Sequence, residues 1–239
     1  MSRGVGVTET IRSGVPEWTL EAFAGLSLLG DLLVIVPVLG LLYIVDVGQS
    51  LFRDDREGPL CSTQTALLIA AVFGGLALVV LLKATFALPR PPAAWHALEP
   101  SEHGFPSGHT MAATVFWGAL VLWSSIGRRS SRFAVSSAVV VLVALSRLAL
   151  GVHYLVDVLA SIAFGVVYLG GIAWLARERP LRAFGVAVAV AVVAVAVTGG
   201  SSRALLALVG TVGGGSGWWL LERPPVRQRL VSTVGPLLR

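Results

Sequence analysis

Eight residues in the middle of the chain have side chains or backbone groups suited to phosphate chemistry. In chain order they are Lys83, Arg90, Ser107, Gly108, His109, Arg147, His153 and Asp157. Three cations around a small site suit a multiply charged anion, and the guanidinium fork of arginine matches phosphate oxygens. A helix that starts at Ser107-Gly108 would add backbone N–H groups and the positive end of its dipole. These residue types indicate a phosphate-binding site.

His153 and Asp157 could carry out a reaction on the bound phosphate. Residues four positions apart on a helix share one face, so the Asp157 carboxylate can accept the N–H of one His153 ring nitrogen. The other ring nitrogen is then available to attack phosphorus. His109, on a different segment, would protonate the leaving oxygen and later activate water. The cations would stabilise charge on the phosphoryl oxygens in the transition state.

This chemistry needs no metal ion or other cofactor. The single cysteine, Cys61, excludes an internal disulfide and a metal site built from several cysteines. Neither a cysteine nor an acidic cluster lies beside the histidines, so the donor set for a metal ion is poor. We therefore predict a phosphoryl-transfer site without a cofactor.

The composition indicates an integral membrane protein. Of the 239 residues, 55% are hydrophobic and 13% are charged, and the mean hydropathy is +0.82. Soluble domains usually carry about a quarter charged residues, so this chain has too little polar surface to coat a water-soluble globule. The net charge of +5 does not indicate nucleic acid, because the arginines fall in short gaps between apolar runs. A soluble enzyme, a nucleic-acid-binding module and a disordered regulator are excluded.

Seven apolar segments approach the length of about 20 residues that a membrane span needs. They are residues 22–45, 65–86, 108–126, 133–150, 153–175, 182–198 and 204–221. The sixth alternates valine and alanine, but an open strand would leave its backbone unsatisfied in lipid, so we predict a helix. The seventh is rich in glycine, and a re-entrant or surface segment is the alternative there. The sequence thus predicts an all-α, multi-pass transmembrane bundle, with residues 1–239 as a single domain.

The basic residues predict the orientation of these spans. By alternation, twelve of them share one side of the membrane, and six lie on the other. The twelve are Arg53, Arg56, Arg128, Arg129, Arg132, Arg177, Arg179, Arg182, Arg223, Arg227, Arg229 and Arg239. The six are Arg3, Arg12, Lys83, Arg90, Arg147 and Arg203. Because cytoplasmic loops carry the excess of basic residues, we expect the C-terminus inside and the N-terminus and the site outside. The first twenty residues lack the layout of a cleaved signal, so we expect the N-terminus to be retained.

The same alternation brings the chemically important residues to one membrane surface. Lys83 closes the second span, and Ser107-Gly108-His109 opens the third. Ser146-Arg147 ends the fourth, while His153 and Asp157 open the fifth. Each has an ordinary explanation when taken alone, such as a snorkelling lysine or a capping serine. Their convergence on one surface is what indicates a functional site.

These residues resemble the three-part signature of the type 2 phosphatidic acid phosphatase superfamily. The parts are Lys83-(six residues)-Arg90-Pro91, then Pro106-Ser107-Gly108-His109, then Ser146-Arg147-(five residues)-His153-(three residues)-Asp157. All three parts match in order and in internal spacing over residues 83–157. The superfamily includes lipid phosphate phosphatases, isoprenyl pyrophosphate phosphatases, glucose-6-phosphatase and the vanadium haloperoxidases.

The resemblance implies a role for each residue, in agreement with the chemistry above. His153 would be the nucleophile that forms a phosphohistidine, Asp157 its orienting partner, and His109 the general acid and then the base. The phosphoryl group would be held by Lys83, Arg90, Ser107, Gly108 and Arg147. The resemblance also implies a six-span core, so that a seventh span would be an addition.

We therefore predict a metal-independent phosphatase that acts on a lipid phosphate or a lipid diphosphate, such as an isoprenyl diphosphate, at the extracytoplasmic face of the cell membrane. Transfer of the phosphate to an alcohol acceptor is an alternative, because the same phosphohistidine would serve both reactions. Haloperoxidase chemistry is disfavoured for a membrane protein of this size. An alternative of another class is a non-catalytic anion or lipid transporter, which would need no oriented nucleophile. The sequence leaves the lipid and the oligomeric state open.

Three further polar residues lie outside the signature. Asp31 is inside the first predicted span, where a carboxylate is costly and often functional. We interpret it as a structural hydrogen-bonding residue, with a role toward the substrate as the less favoured alternative. His96 and His103 lie in the loop before the third span, and we interpret both as solvated histidines, with contact of His103 with the substrate headgroup as the less favoured alternative.

Overall fold

The computed structural model describes residues 5–52, 58–100 and 103–234, which form α-helices joined by turns and loops, with no β-strand among them. The helices are α1 (Val5–Gly14), α2 (Leu20–Ser27), α3 (Leu32–Phe52), α4 (Thr63–Phe86), α5 (Gly108–Trp123), α6 (Arg129–Ala149), α7 (Leu155–Ala176), α8 (Pro180–Thr198), α9 (Ser202–Leu221) and α10 (Pro224–Val234). Six of them, α3, α4 and α6 to α9, are long and apolar enough to cross a membrane. The prediction of an all-α, multi-pass bundle is confirmed.

The first predicted span, residues 22–45, is not one continuous helix. A 3-10 turn at Leu28–Gly30 separates α2 from α3. Asp31 follows this turn with an extended backbone (φ −96°, ψ 150°), and its Oδ1 accepts the N–H of Leu33 at 2.9 Å. A short polar side chain that bonds the following backbone caps a new helix instead of continuing the old one. Asp31 therefore lies just before α3, and the prediction that it lies inside a span is wrong.

The third predicted span is shorter than expected. α5 has 16 residues, which at a rise of 1.5 Å per residue gives about 24 Å, against about 30 Å of hydrocarbon. It packs against α4, α6 and α7, and most of its residues between Thr110 and Ala119 are buried. α5 is therefore an inner helix surrounded by longer ones.

Small residues allow the helices to approach closely. α8 presents a row of fully buried alanines to the bundle, at Ala183, Ala187, Ala191 and Ala194. An added Cβ at Gly74 of α4 would collide with the Tyr168 hydroxyl and lie 2.8 Å from the Cβ of Ala187. Helix association in lipid depends on such close van der Waals packing, because lipid chains are as apolar as the side chains.

α9 runs from one end of the bundle to the other. Arg203, at its start, acts electrostatically on Lys83 and Arg90 at the site end. Glu222, just after α9 ends, accepts the backbone N–H of Cys61 at 2.9 Å, beside the start of α4 at the opposite end. The re-entrant alternative for residues 204–221 is therefore not supported.

The outward faces of several long helices are apolar. Examples of exposed large side chains are Leu33 and Ile44 of α3, Val166 and Val167 of α7, and Leu206 of α9. In water, continuous apolar faces of this kind would drive association. They are suited to contact lipid chains.

The first helix lies across the site end of the bundle. The Thr8 hydroxyl donates to the carbonyl oxygen of His153 at 3.4 Å, and Nε of Arg12 donates to the carbonyl oxygen of Trp95 at 3.0 Å. Ile11 packs against an apolar cluster formed by α6 and α7. α1 therefore covers the turn that joins α6 to α7.

The α4–α8 contact leads to a stability prediction. We expect Gly74→Ala to lower the melting temperature of the protein in detergent, because overpacking a close contact costs about 1–3 kcal/mol. Gly185→Ala is the matched control on α8, where an added Cβ meets nothing within 4 Å. That variant should leave the melting temperature unchanged or raise it, since alanine favours a helix over glycine by about 1 kcal/mol. Equal shifts in the two variants would contradict the packing described here.

Candidate active site

His153 lies at the centre of the site, in the turn between α6 and α7, with 1% of its surface exposed. Its Nδ1 is 3.4 Å from Oδ2 of Asp157, and its Nε2 is 3.2 Å from Nη1 of Arg90. A guanidinium only donates hydrogen bonds, and an ionised carboxylate only accepts them. The hydrogen of the neutral ring is therefore on Nδ1, and Nε2 presents a lone pair. A nucleophilic Nε2 requires this tautomer.

Asp157 is held by the backbone around it. Its Oδ2 accepts the N–H of Tyr154 at 2.9 Å, at the start of α7. Its own carbonyl oxygen accepts the N–H of Ser107 at 3.3 Å and the hydroxyl of Ser161 at 2.6 Å. These bonds join the beginnings of α5 and α7. The position of the Asp157 carboxylate is therefore determined by both helices.

The three predicted cations surround His153. Arg90 also donates from Nη1 to the carbonyl oxygen of Val152 at 2.7 Å. Arg147 is 5% exposed, and its Nε has no hydrogen-bond partner among the described residues. The charges of Arg90, Arg147 and Lys83 all act on His153, as does His109. A buried guanidinium N–H without a partner in the protein is available to an anion.

Lys83 is directed across the start of α5. Its Nζ donates to the carbonyl oxygen of His103 at 2.9 Å. Its aliphatic stem passes Gly108, where an added Cβ would lie 3.4 Å from Lys83 Cε. The lysine stem therefore lies at ordinary van der Waals distance from the first turn of α5.

Burial and the neighbouring cations determine the protonation of His153. Burial disfavours the charged ring, and Arg90 and Arg147 add repulsion, so the pKa of His153 lies well below the usual 6.5. Burial also lowers the pKa of Arg90, to about 10. Arg90 thus remains protonated at neutral pH while His153 is neutral.

The start of α5 offers backbone groups to an anion. Ser107 is fully buried, and its hydroxyl accepts the N–H of Thr110 at 3.4 Å. The N–H groups of Gly108 and His109 belong to the first turn, where the helix itself supplies no acceptor. These two groups and the positive end of the helix dipole favour a bound anion. Because Ser107 already bonds within the protein through its N–H and its hydroxyl, its contact with a phosphoryl group stays a prediction.

His109 has a partner that the sequence did not predict. Its Nε2 lies 3.0 Å from Oδ2 of Asp31. The structural hydrogen bond expected of Asp31 therefore exists, and it is made to a candidate catalytic residue. No spacing rule connects residues 78 positions apart, so the one available signal was a carboxylate within an apolar run.

The remaining histidines are less central. His96 lies in the loop after α4, and burial lowers its pKa below 6.5. His103 contributes its backbone carbonyl to Lys83. Among the residues that the structure describes, no three His, Cys, Asp or Glu side chains are grouped as metal ligands.

Comparison with known proteins identifies the family. The family model described as the PAP2 superfamily matches residues 64–182. The chain belongs to the PAP2 superfamily. This match confirms the predicted resemblance, and it confirms the prediction that the protein is a membrane phosphatase. All eight predicted site residues lie within the matched segment, whereas Asp31 lies before it.

Individual PAP2 proteins show similarity over most of the chain. Phosphatidylglycerophosphatase B of Bacillus subtilis (strain 168) is 27% identical over 157 residues, which cover 63% of this chain and 71% of that protein. The crystal structure of the first transmembrane PAP2 type phosphatidylglycerolphosphate phosphatase from Bacillus subtilis matches with a TM-score of 0.59 and 23% identity, over 74% of this chain and 86% of the other. The crystal structure of Aquifex aeolicus LpxE matches with a TM-score of 0.51 and 23% identity, over 71% of this chain and 96% of the other.

The environment of His153 leads to a prediction about its ionisation. In protein labelled with 15N at histidine, we expect the His153 ring to stay neutral, with its hydrogen on Nδ1, as the pH falls through 6.5. Burial and the adjacent guanidinium groups oppose the second proton. Comparison with His153→Ala assigns the signal. A titration midpoint at 6.5 or above would contradict the environment described here.

Proposed function

We propose that this protein removes phosphate from a lipid phosphate or lipid diphosphate through a phosphohistidine on His153. One observation carries the proposal. His153 is buried among three cations, with its Nδ1–H directed to Asp157 and its Nε2 lone pair directed to Arg90. A site that only bound an anion would have no need to hold a neutral imidazole in one tautomer.

In the first step, the phosphoryl group would bind among Lys83, Arg90 and Arg147. A phosphoryl oxygen would take over the Arg90 N–H that now faces Nε2 and would also satisfy Nε of Arg147. The Nε2 lone pair then attacks phosphorus while the bond from phosphorus to the lipid oxygen breaks. His109 gives a proton to that leaving oxygen. The cations stabilise the charge on the equatorial oxygens.

In the second step, water replaces the lipid. His109, now neutral, takes a proton from a water molecule as the water oxygen bonds to phosphorus. The bond from phosphorus to Nε2 breaks, which releases inorganic phosphate and returns His153 to its neutral form. The proton that left His109 in the first step is thereby restored.

The surroundings of the site support a lipid as the carrier of the phosphate. Phe86 follows Lys83 by one helical turn and packs edge-on against Phe105, with ring centroids 4.9 Å apart. Phe164 of α7 stacks on Phe86 at 6.2 Å. Aromatic and apolar surface therefore begins directly beside the cations. A hydrocarbon chain attached to the phosphate could remain against this surface.

The distribution of charge supports an extracytoplasmic site. Among the described residues, nine arginines lie at the end of the bundle opposite the site: Arg128, Arg129, Arg132, Arg177, Arg179, Arg182, Arg223, Arg227 and Arg229. At the site end, Arg12 and Arg203 are the described cations outside the phosphate-binding set. Arg3, Arg53, Arg56 and Arg239, which also entered the sequence prediction, lie outside the described residues. The positive-inside rule then favours a cytoplasmic C-terminus.

Phosphate release in EDTA tests the proposed activity. The substrates are a phosphatidate, a phosphatidylglycerophosphate, an isoprenyl diphosphate and a soluble sugar phosphate. We expect release from at least one lipid, and a loss of about 10³-fold or more in His153→Ala, as for removal of other catalytic nucleophiles. His96→Ala is the matched histidine control and should retain the activity. Release that persists in His153→Ala would contradict the proposal.

The covalent intermediate and the acceptor are tested with the same preparations. Brief reaction of His109→Ala with a 32P-labelled aryl phosphate should leave an acid-labile, base-stable label on the protein, because the activated group departs without an acid while water attack is slowed. The label should be absent from the His109→Ala/His153→Ala double variant. Phosphorylated alcohol formed on addition of an alcohol acceptor would instead favour phosphotransfer. Binding of the lipids without any turnover would favour the transporter.

Cysteine labelling tests the orientation. In a Cys61→Ser background, which has no other cysteine, Ala93→Cys and Ser130→Cys place exposed thiols at the site end and at the opposite end. We expect a membrane-impermeant maleimide to label the first variant in intact cells and the second only after lysis. The reverse pattern would mean that the site faces the cytoplasm.

A further inference from the structure

The N-terminal segment is tightly docked on the helix that carries His109. Nε1 of Trp117 on α5 donates to the carbonyl oxygen of Leu29 at 3.1 Å. An added Cβ at Gly30 would collide with the carbonyl oxygen of His109 and lie 3.1 Å from a methyl carbon of Val143 on α6. Glycine at this position therefore permits the 3-10 turn to sit directly on α5 and α6.

In this docked position, the two carboxylate oxygens of Asp31 make two different hydrogen bonds. Oδ1 accepts the N–H of Leu33 at 2.9 Å and so caps α3. Oδ2 lies 3.0 Å from Nε2 of His109. An ionised carboxylate only accepts hydrogen bonds, so Nε2 carries a hydrogen in this contact. With Nε2–H directed to Asp31, Nδ1 is the ring nitrogen that remains for proton transfer.

His109 otherwise lies in cationic surroundings. Arg147 and Lys83 both act on it electrostatically, and Asp31 is the carboxylate that opposes them. The second histidine of the site, His153, also interacts with it. Without a carboxylate at this position, the ring would have no acceptor for Nε2–H in this contact and no negative charge beside it.

We propose that Asp31 is a positioning residue for His109, which it holds through Nε2–H so that Nδ1 exchanges the proton with the leaving oxygen and then with water. The inference rests on the proposed phosphatase function. In the first step the Nδ1 proton passes to the lipid oxygen as the P–O bond breaks, and in the second Nδ1 takes a proton from the attacking water. Asp31 itself exchanges no proton.

The consequence is that the site contains two carboxylate–histidine pairs with separate duties. Asp157 holds the nucleophile His153, and Asp31 holds the acid and base His109. The first pair comes from one helix start, four residues apart in the chain. The second joins two segments that are distant in sequence, and Asp31 lies outside the residues 64–182 that match the family.

The test is a double-mutant cycle with two classes of substrate. The variants are Asp31→Ala, Asp31→Asn, His109→Ala and the Asp31→Ala/His109→Ala pair. Glu21→Gln is the matched control, since Glu21 is an exposed carboxylate on the same N-terminal segment. The substrates are the preferred lipid phosphate and 4-nitrophenyl phosphate, whose leaving group departs without a proton. Melting temperature in detergent is recorded for every variant.

Asp31→Ala should lower kcat for the lipid phosphate by about 10- to 100-fold, a part of the 10²- to 10⁴-fold that acid–base catalysis supplies. It should cause no further loss in the His109→Ala background, because a residue that acts through another has no effect once that other is gone. First-turnover release of 4-nitrophenolate should be nearly unchanged. Glu21→Gln should behave as the unmodified protein.

Asp31→Asn separates positioning from folding. Asparagine is a good helix cap, and its single amide oxygen would accept the N–H of Leu33. Its NH2 group would then face Nε2 of His109, which could accept that hydrogen bond only if the ring hydrogen were on Nδ1. This is the wrong tautomer for the proposed proton transfer. We expect this variant to keep its melting temperature and to lose as much activity on the lipid as Asp31→Ala.

Several results would overturn the inference. They are unchanged activity in both Asp31 variants, equal losses on the two substrates, or losses that add to that of His109→Ala. In each case the unmodified protein still releases phosphate, so the proposed function would stand. If the unmodified protein released no phosphate from any substrate, the proposed function would fail, and the role of Asp31 would fail with it.

Discussion

The structure depends on holding three like charges together at a membrane boundary. Lys83, Arg90 and Arg147 come from three separate segments, and all of them act on His153. Their repulsion is stronger than in water, because the surroundings are less polarisable. Backbone carbonyl oxygens, which carry only partial charge, accept hydrogen bonds from Lys83 and Arg90. A phosphoryl group would neutralise this cluster. Its oxygen would also take over the Arg90 N–H that faces Nε2 of His153, which leaves the Nε2 lone pair available for attack. The same arrangement would therefore bind the phosphate and activate the nucleophile.

The opposite end of the bundle fixes the frame for this cluster. Asp46 of α3 accepts the N–H of Ser62 at 2.7 Å, and Glu222 after α9 accepts that of Cys61 at 2.9 Å. Carboxylates are favourable at a helix N-terminus, here that of α4. Burial raises the pKa of the Cys61 thiol to about 12, which suits a packing role. α4 is thereby anchored at one end by two neighbouring helices, and its other end presents Lys83.

Much of the site was predictable because its information is local. The spacing of His153 and Asp157 correctly predicted their contact, although His153 lies in the turn before α7 and not on the helix itself. The alternation of spans, which carries Lys83, His109 and Arg147 to one surface, follows from the need to cross lipid. The contact of Asp31 with His109 was not predictable, because it depends on a break in a helix and on packing between distant segments. Ser107 shows a milder limit, since its type suggests anion binding while its hydrogen bonds serve the cap of α5 and the carbonyl oxygen of Asp157.

The turn at Leu28–Gly30 also bears on how this protein tolerates recombination with its relatives. A chimera that kept residues 64–182 intact but took its first helices from another PAP2 protein would preserve every signature residue. It would nevertheless replace the surface against which Trp117 and the backbone of His109 pack. Unless the donor segment brought an equally close turn, α5 would lose its neighbour on that side. The part of the chain that must be kept together therefore begins well before the first signature residue, because the segment around Leu28–Gly30 packs on α5.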